Sequence, residues 1–228
     1  GSARSGWREP RGAHGMEPER KTRFGEPHRH VSGSRGRPLA LLATDAAGDA
    51  APWTNGPVPA GLAIRGLHAP VLPVFADDRT PELFTDVFGW TRAGTDGDLV
   101  RLQGPGPGAG TTVDLLVRDR HPSGRMGRGT VHHIAFRAPD DAAQRAWQSR
   151  LREHGLQVTD VKDRHYFRSV YFRDPDRTSG LLFEIATDGP GFYVDEDEAE
   201  LGQSLVLPEH LEPRRADLES ALPTLTAP

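Results

Sequence analysis

Two histidines, His68 in Gly66-Leu67-His68-Ala69-Pro70 and His133 in Val131-His132-His133-Ile134, open stretches with the same order of predicted elements, 133 − 68 = 65 residues apart. The first stretch reads as a strand over Ile64–Phe75, a helix over Arg79–Phe88 and strands over Leu99–Leu102 and Thr112–Arg118. Thr80 is its expected N-cap, Pro81 fills the first turn and Gly89 ends it. The second stretch reads as a strand over Thr130–Arg137 and a helix over Asp140–His154, with an Asp cap, a Trp147/Leu151 apolar stripe and a Gly155 stop. Strands over Gln157–Val161, Phe167–Arg173 and Leu181–Ala186 follow. A repeated order at such a period marks an internal duplication. One helix with three or four strands closes no core alone, so the two βαβββ modules are expected to pack as one unit. The fold class is α+β, with mixed sheets curled around a cleft.

The expected boundaries are residues 62–120 for the first module and 121–190 for the second. Before them, residues 1 to about 36 are rich in Arg, Gly and Pro and read in isolation as disordered. Pro38–Thr44 is the first plausible strand, and a Pro/Gly-rich linker runs from Pro52 to Gly61. After the modules, residues 191–228 form a tail with an acidic run, Asp195-Glu196-Asp197-Glu198, and a short amphipathic helix over Leu211–Leu222.

Gly and Pro together make 26 + 20 = 46 of 228 residues, which suits short strands and many turns better than a helical bundle. A net charge of −4 gives no basic surplus for nucleic acid or an anionic membrane. No apolar run reaches the roughly 18 residues of a membrane span, and no signal-peptide pattern is present, so the expected location is cytoplasmic. With no cysteine, disulfides, zinc ribbons, iron–sulfur clusters and thiol nucleophiles are excluded, while ten histidines supply imidazole ligands.

Alternation along the closing strand puts Phe183 and Ile185 on the apolar side and Glu184 on the other. A carboxylate there is costly unless paired or bound to a metal. In the opening strand His132 is expected to share the packed face of Ile134 and Phe136, leaving His133 on the opposite face. His133 and Glu184 are therefore the candidate metal ligands; a structural His-His pair and a salt-bridged Glu are the plain alternatives. The first module echoes the pattern with His68 at its opening and Asp114 at its closing strand. His68, His133 and Glu184 would make two His and one carboxylate, a set that leaves a face open and suits non-haem iron(II). Ser169, Tyr171 and Arg173 alternate with Val170 and Phe172, so Tyr171 could orient and deprotonate a phenol, or simply lie on an exposed strand face.

Three separated motifs resemble one family in the right order. They are Gly129–Arg137, the Asp163–Tyr171 stretch and Leu182-Phe183-Glu184-Ile185-Ala186-Thr187-Asp188-Gly189-Pro190-Gly191-Phe192. They are similar to the vicinal oxygen chelate superfamily of glyoxalase I, bleomycin-resistance proteins and extradiol dioxygenases, and within it to the hydroquinone ring-cleaving branch. That resemblance implies metal ligation by His133 and Glu184, second-sphere places for Arg164, Tyr171 and His132, and iron(II), or manganese(II), as cofactor. It implies a small hydroquinone or catechol-type aromatic and O₂ as substrates, and it allows a homo-oligomer. A non-catalytic ligand-binding protein of the same fold and an inactive fragment of the dioxygenase are the rival readings. The family has four modules, so residues 1–61 are expected to be the remnant of a preceding module plus linker, with Trp7–Glu26 a helix end and strand. The third ligand would then be His68 or a histidine of a module not in this chain. The turn Asp174–Gly180 is longer than the family leads one to expect.

Overall fold

The computed structural model describes residues 20–32, 38–43, 51–52, 58–106, 108–119, 127, 130–177 and 179–223. Part of the Arg-rich start, read above as disordered, is an antiparallel meander of β1 (Arg20–Arg23), β2 (Glu26–Ser32) and β3 (Pro38–Leu42), in the order β1-β2-β3. Phe24 and Gly25 join β1 to β2, both at positive φ (48° and 75°), the backbone that two-residue hairpin loops require. Residues 7–19, where the helix end was expected, lie outside the described residues.

The first repeat consists of β4 (Val71–Phe75), a helical turn, β5 (Thr91–Asp96), β6 (Leu99–Gln103) and β7 (Thr112–Arg118), in the order β4-β7-β6-β5. β4 runs parallel to β7, and the β6–β7 and β5–β6 pairs are antiparallel. β4 begins at Val71 rather than Ile64; the segment before it leaves Ile64 and Leu67 69% and 87% exposed and ends on Pro70, which has no N–H for a ladder. The helix is α1 (Thr80–Glu82) running into a π-turn (Leu83–Val87), with Phe88 N–H reaching Leu83 O at 3.1 Å. Thr80 is not its N-cap: Asp78 Oδ1 accepts from the Thr80 N–H at 2.7 Å and from its hydroxyl at 2.5 Å. Leu72, Val74, Leu83, Phe84, Val87, Leu102, Val113 and Leu115 form the buried core of this repeat.

The second repeat has the same order of elements: β8 (Ile134–Ala138), α2 (Asp141–Glu153), β9 (Lys162–Asp163), β10 (Arg168–Arg173) and β11 (Leu182–Thr187). Its sheet order, β8-β11-β10-β9, is that of the first repeat strand for strand, as the duplication requires. Asp140 caps α2, accepting from Ala143 N–H at 2.7 Å, and Leu151 is fully buried. Gln144, also buried on that stripe, donates Nε2 to Arg168 O at 2.6 Å and Ile185 O at 2.8 Å, tying the helix to two strands.

The expected strand over Gln157–Val161 is absent. Thr159 instead holds Tyr171 through its own N–H and, with its hydroxyl, accepts the Tyr171 N–H, both at 3.0 Å. A side chain thus stands where a ladder carbonyl would. In the tail Pro213 divides the expected helix into a 3₁₀ stretch (Glu209–Arg214) and α3 (Arg215–Ala221). The chain forms two compact units, residues 1–134 with 173–183 and residues 135–172 with 184–228. Among the described residues no helix is long and apolar enough to cross a membrane.

Candidate metal and substrate site

In the first unit the closing-strand carboxylate is already answered by a cation. Asp114 on β7, 1% exposed, receives the Arg101 guanidinium from β6, Nε on Oδ1 at 2.8 Å and Nη2 on Oδ2 at 3.0 Å. Arg101 Nη1 also donates to Glu26 Oε2 at 2.6 Å, and the guanidinium stacks 4.1 Å over the Phe24 ring. Burial works against the charge of Arg101, but its hydrogen bonds to Asp114 and Glu26 outweigh that and raise its pKa. His68 stands beside this network, its Nε2 3.5 Å from Glu26 Oε2. That nitrogen is sealed from solvent and has no hydrogen-bond partner among the described residues.

His132 and His133 precede β8 instead of lying within it, so the alternation expected for them fails. Ile134 and Phe136 are half-covered, but His132 is exposed and His133 is the more covered of the two. The rings meet edge to face, with Nδ1 to Nδ1 at 2.8 Å, so that one ring donates to the other.

In the second unit Glu184, 2% exposed on β11, occupies the third strand position, as Asp114 does on β7. Ser169 Oγ on β10 donates to Glu184 Oε1. Arg164 and Tyr171 are also brought together, the guanidinium 5.4 Å from the ring centroid and Nη2 donating to the phenol oxygen at 3.4 Å. Among the described residues no three His, Asp or Glu side chains are gathered into a ready ligand set. Taken one by one, Glu184 is a buried carboxylate steadied by a hydroxyl and His133 an imidazole oriented by its neighbour, donor types that suit a divalent cation.

Sequence reasoning missed Glu26 and Arg101. The period-2 pattern of Glu26, His28 and His30 on one strand face was the available signal for Glu26. The long turn Asp174–Gly180 also has a structural use. Asp176 pairs with Arg79 at 2.6 Å, and the Ser179 hydroxyl donates to Asp78.

The model of the glyoxalase/bleomycin resistance protein/dioxygenase superfamily matches residues 66–185, more than half of the chain. The chain belongs to that superfamily. Among its relatives, "Putative ring-cleaving dioxygenase MhqO" of Bacillus subtilis is 41% identical over 88% of this chain and 62% of its own length. "Chlorohydroquinone/hydroquinone 1,2-dioxygenase" of Sphingobium indicum is 29% identical over 75% of this chain and 53% of its own. The crystal structure of a "putative dioxygenase from Bacillus subtilis" superposes with a TM-score of 0.81 at 38% identity, over 92% of this chain and 66% of that one. This superfamily member thus spans about three fifths of the length of the MhqO relative. Its mixed sheets and few helices are those of the vicinal oxygen chelate fold.

Proposed function

We propose that this chain carries the metal-holding and substrate-facing part of an extradiol-type ring-cleaving dioxygenase for hydroquinone- or catechol-type aromatics. The observation that carries the reading is Glu184, a carboxylate buried at 2% in a central strand and answered by the Ser169 hydroxyl. In the other repeat the equivalent Asp114 needs a guanidinium. A cation at Glu184 would offset the burial in the same way. The names of the relatives agree with that chemistry.

His133 and Glu184 would hold iron(II), with manganese(II) as the alternative ion. His132, through the Nδ1 contact, would orient the His133 ring for ligation. His68 is the third imidazole on offer, although its neighbour Glu26 draws it toward the first repeat's own network. When bound, the metal supplies Lewis acidity toward a phenolic oxygen and the redox chemistry by which O₂ attacks an aromatic ring. The protein's part is to orient the ring and handle protons. The Tyr171 phenol, which accepts from the Arg164 guanidinium, would exchange a proton with a substrate hydroxyl, and Arg164 would orient the ring.

The test is iron content after anaerobic loading, together with O₂ uptake on hydroquinone. The wild-type chain should bind one iron, and His133→Ala and Glu184→Ala should each lose it sharply, His132→Ala less so. Equal retention in all three variants refutes the ligand assignment. Hydroquinone binding that persists without metal or O₂ uptake would instead favour a non-catalytic binding protein.

A further inference from the structure

Four residues, 164–167, connect β9 to β10, and β9 gives them little support. Only two residue pairs link the strands, Arg168 with Asp163 and Ser169 with Lys162. Within the turn, Arg164 N–H reaches Phe167 O at 2.9 Å and His165 N–H reaches Asp163 Oδ1 at 2.8 Å. His165 adopts φ 69°, a left-handed backbone uncommon for a side chain of that size and held only when its surroundings fix it.

The surroundings that fix it come from the tail. His165 Nε2 lies 2.8 Å from Asp195 Oδ2. The Gly191 N–H donates to Tyr166 O at 2.7 Å, and the Tyr166 and Phe192 rings pack with centroids 4.8 Å apart. Asp195 also accepts from the Tyr166 phenol and so raises its pKa. Four contacts thus converge on the two residues that follow Arg164: the imidazole and phenol hydrogen bonds to Asp195, a main-chain hydrogen bond and a tilted ring contact.

We propose that the tail segment 191–195 is a clamp on this turn, with His165 and Tyr166 as positioning residues that hold Arg164 against Tyr171. The inference rests on the reading that Arg164 and Tyr171 face the aromatic substrate. An unclamped tip with two ladder pairs opens readily, and a displaced guanidinium no longer orients the ring. The clamp acts through placement, so its loss weakens substrate binding and leaves metal binding alone.

The full chain tests this with His165→Ala, Asp195→Asn and the conservative His165→Gln, whose amide can still donate to Asp195. In metal-free protein, backbone amide exchange over residues 164–167 should be about tenfold faster in His165→Ala and Asp195→Asn, as for a locally opened segment. His165→Gln should recover most of the protection. In iron-loaded protein the KM for hydroquinone should rise about tenfold, with iron content unchanged and kcat less affected than KM. Unchanged exchange in both variants overturns the clamp whatever the activity. Faster exchange with an unchanged KM overturns its role in placing Arg164. Faster exchange in a chain whose wild type cleaves no hydroquinone upholds the clamp and faults the functional reading instead.

Discussion

Arg101 grips Asp114 in a two-point contact, at 2.8 and 3.0 Å, and both side chains are largely buried. The first repeat thereby neutralises its closing-strand carboxylate from within the chain. Arg101→Met strips Asp114 of its two-point contact, leaving only the Arg23 guanidinium at 3.8 Å among the described residues, and takes the third donor from Glu26. Removing one member of a buried pair costs about 3–5 kcal/mol. The double variant Arg101→Met, Asp114→Leu should recover most of that loss. Urea denaturation of the single and double variants decides it, and a double variant no better than the single one would show that the pair does more than cancel charge.

The duplication was legible because Leu99–Leu102, Thr112–Arg118, α2 and β11 are apolar at regular periods, set by burial on one face. Glu184 could be read for the same reason, since it interrupts the buried run Phe183–Ile185. β5 could not: it is a polar edge strand, exposed along most of its length and irregular between Arg92 and Gly94. Nor could the His132–His133 geometry, because alternation applies only inside a strand and β8 begins one residue later. The contact between Arg101 and Glu26 joins residues 75 apart in a segment whose polarity resembles a disordered tail. In the π-turn that follows α1, Phe84 meets Phe88 and Trp90 edge-on at 5.6 and 5.2 Å, contacts that helical periodicity does not foretell.

His68 tests how the metal set is completed. Its Nε2 faces Glu26 at 3.5 Å in the network that Arg101 already organises. His68→Ala should therefore lower iron affinity much less than His133→Ala does. Iron titration of the two variants measures this, and equal losses would make His68 a full ligand.

Ser169 steadies the carboxylate rather than ligating. A hydrogen-bond partner of a metal ligand typically contributes roughly 10–100-fold in metal affinity. Ser169→Ala should lower iron affinity by about that much, Ser169→Thr by less. An unchanged affinity in Ser169→Ala would remove the link between that hydroxyl and the metal.

Tyr171 should act on protons and not on metal. Tyr171→Phe keeps the ring against Arg164 but loses the phenol, and should lower turnover by about 10²-fold with iron content unchanged. Steady-state kinetics with metal analysis provides the check, and undiminished turnover would leave Tyr171 an ordinary strand residue.

Asp174 gives the fold a pH dependence whose sign is fixed by its burial. The side chain is 1% exposed; burial first, and then the neighbouring Asp78, raise its pKa, and the Ser179 N–H at 3.2 Å only partly offsets them. In the unfolded chain the group ionises near its ordinary value, so below that value both states are protonated and its contribution is fully present. As the pH rises through the higher folded value, the native state must keep a proton or bury a charge, and the contribution is lost. Asp174→Asn keeps an oxygen for Ser179 and removes the titration. The stability difference, variant minus wild type, should therefore shift in favour of Asn as the pH goes from 4 toward 7. Asp176 works in the opposite sense, because its hydrogen bond to Arg79 lowers its pKa and its contribution is lost on acidification. It is present in both proteins and cancels in the difference. Urea midpoints across that pH range are the measurement, and a difference that stays flat with pH would mean that Asp174 is ionised in the folded protein as readily as in the unfolded chain.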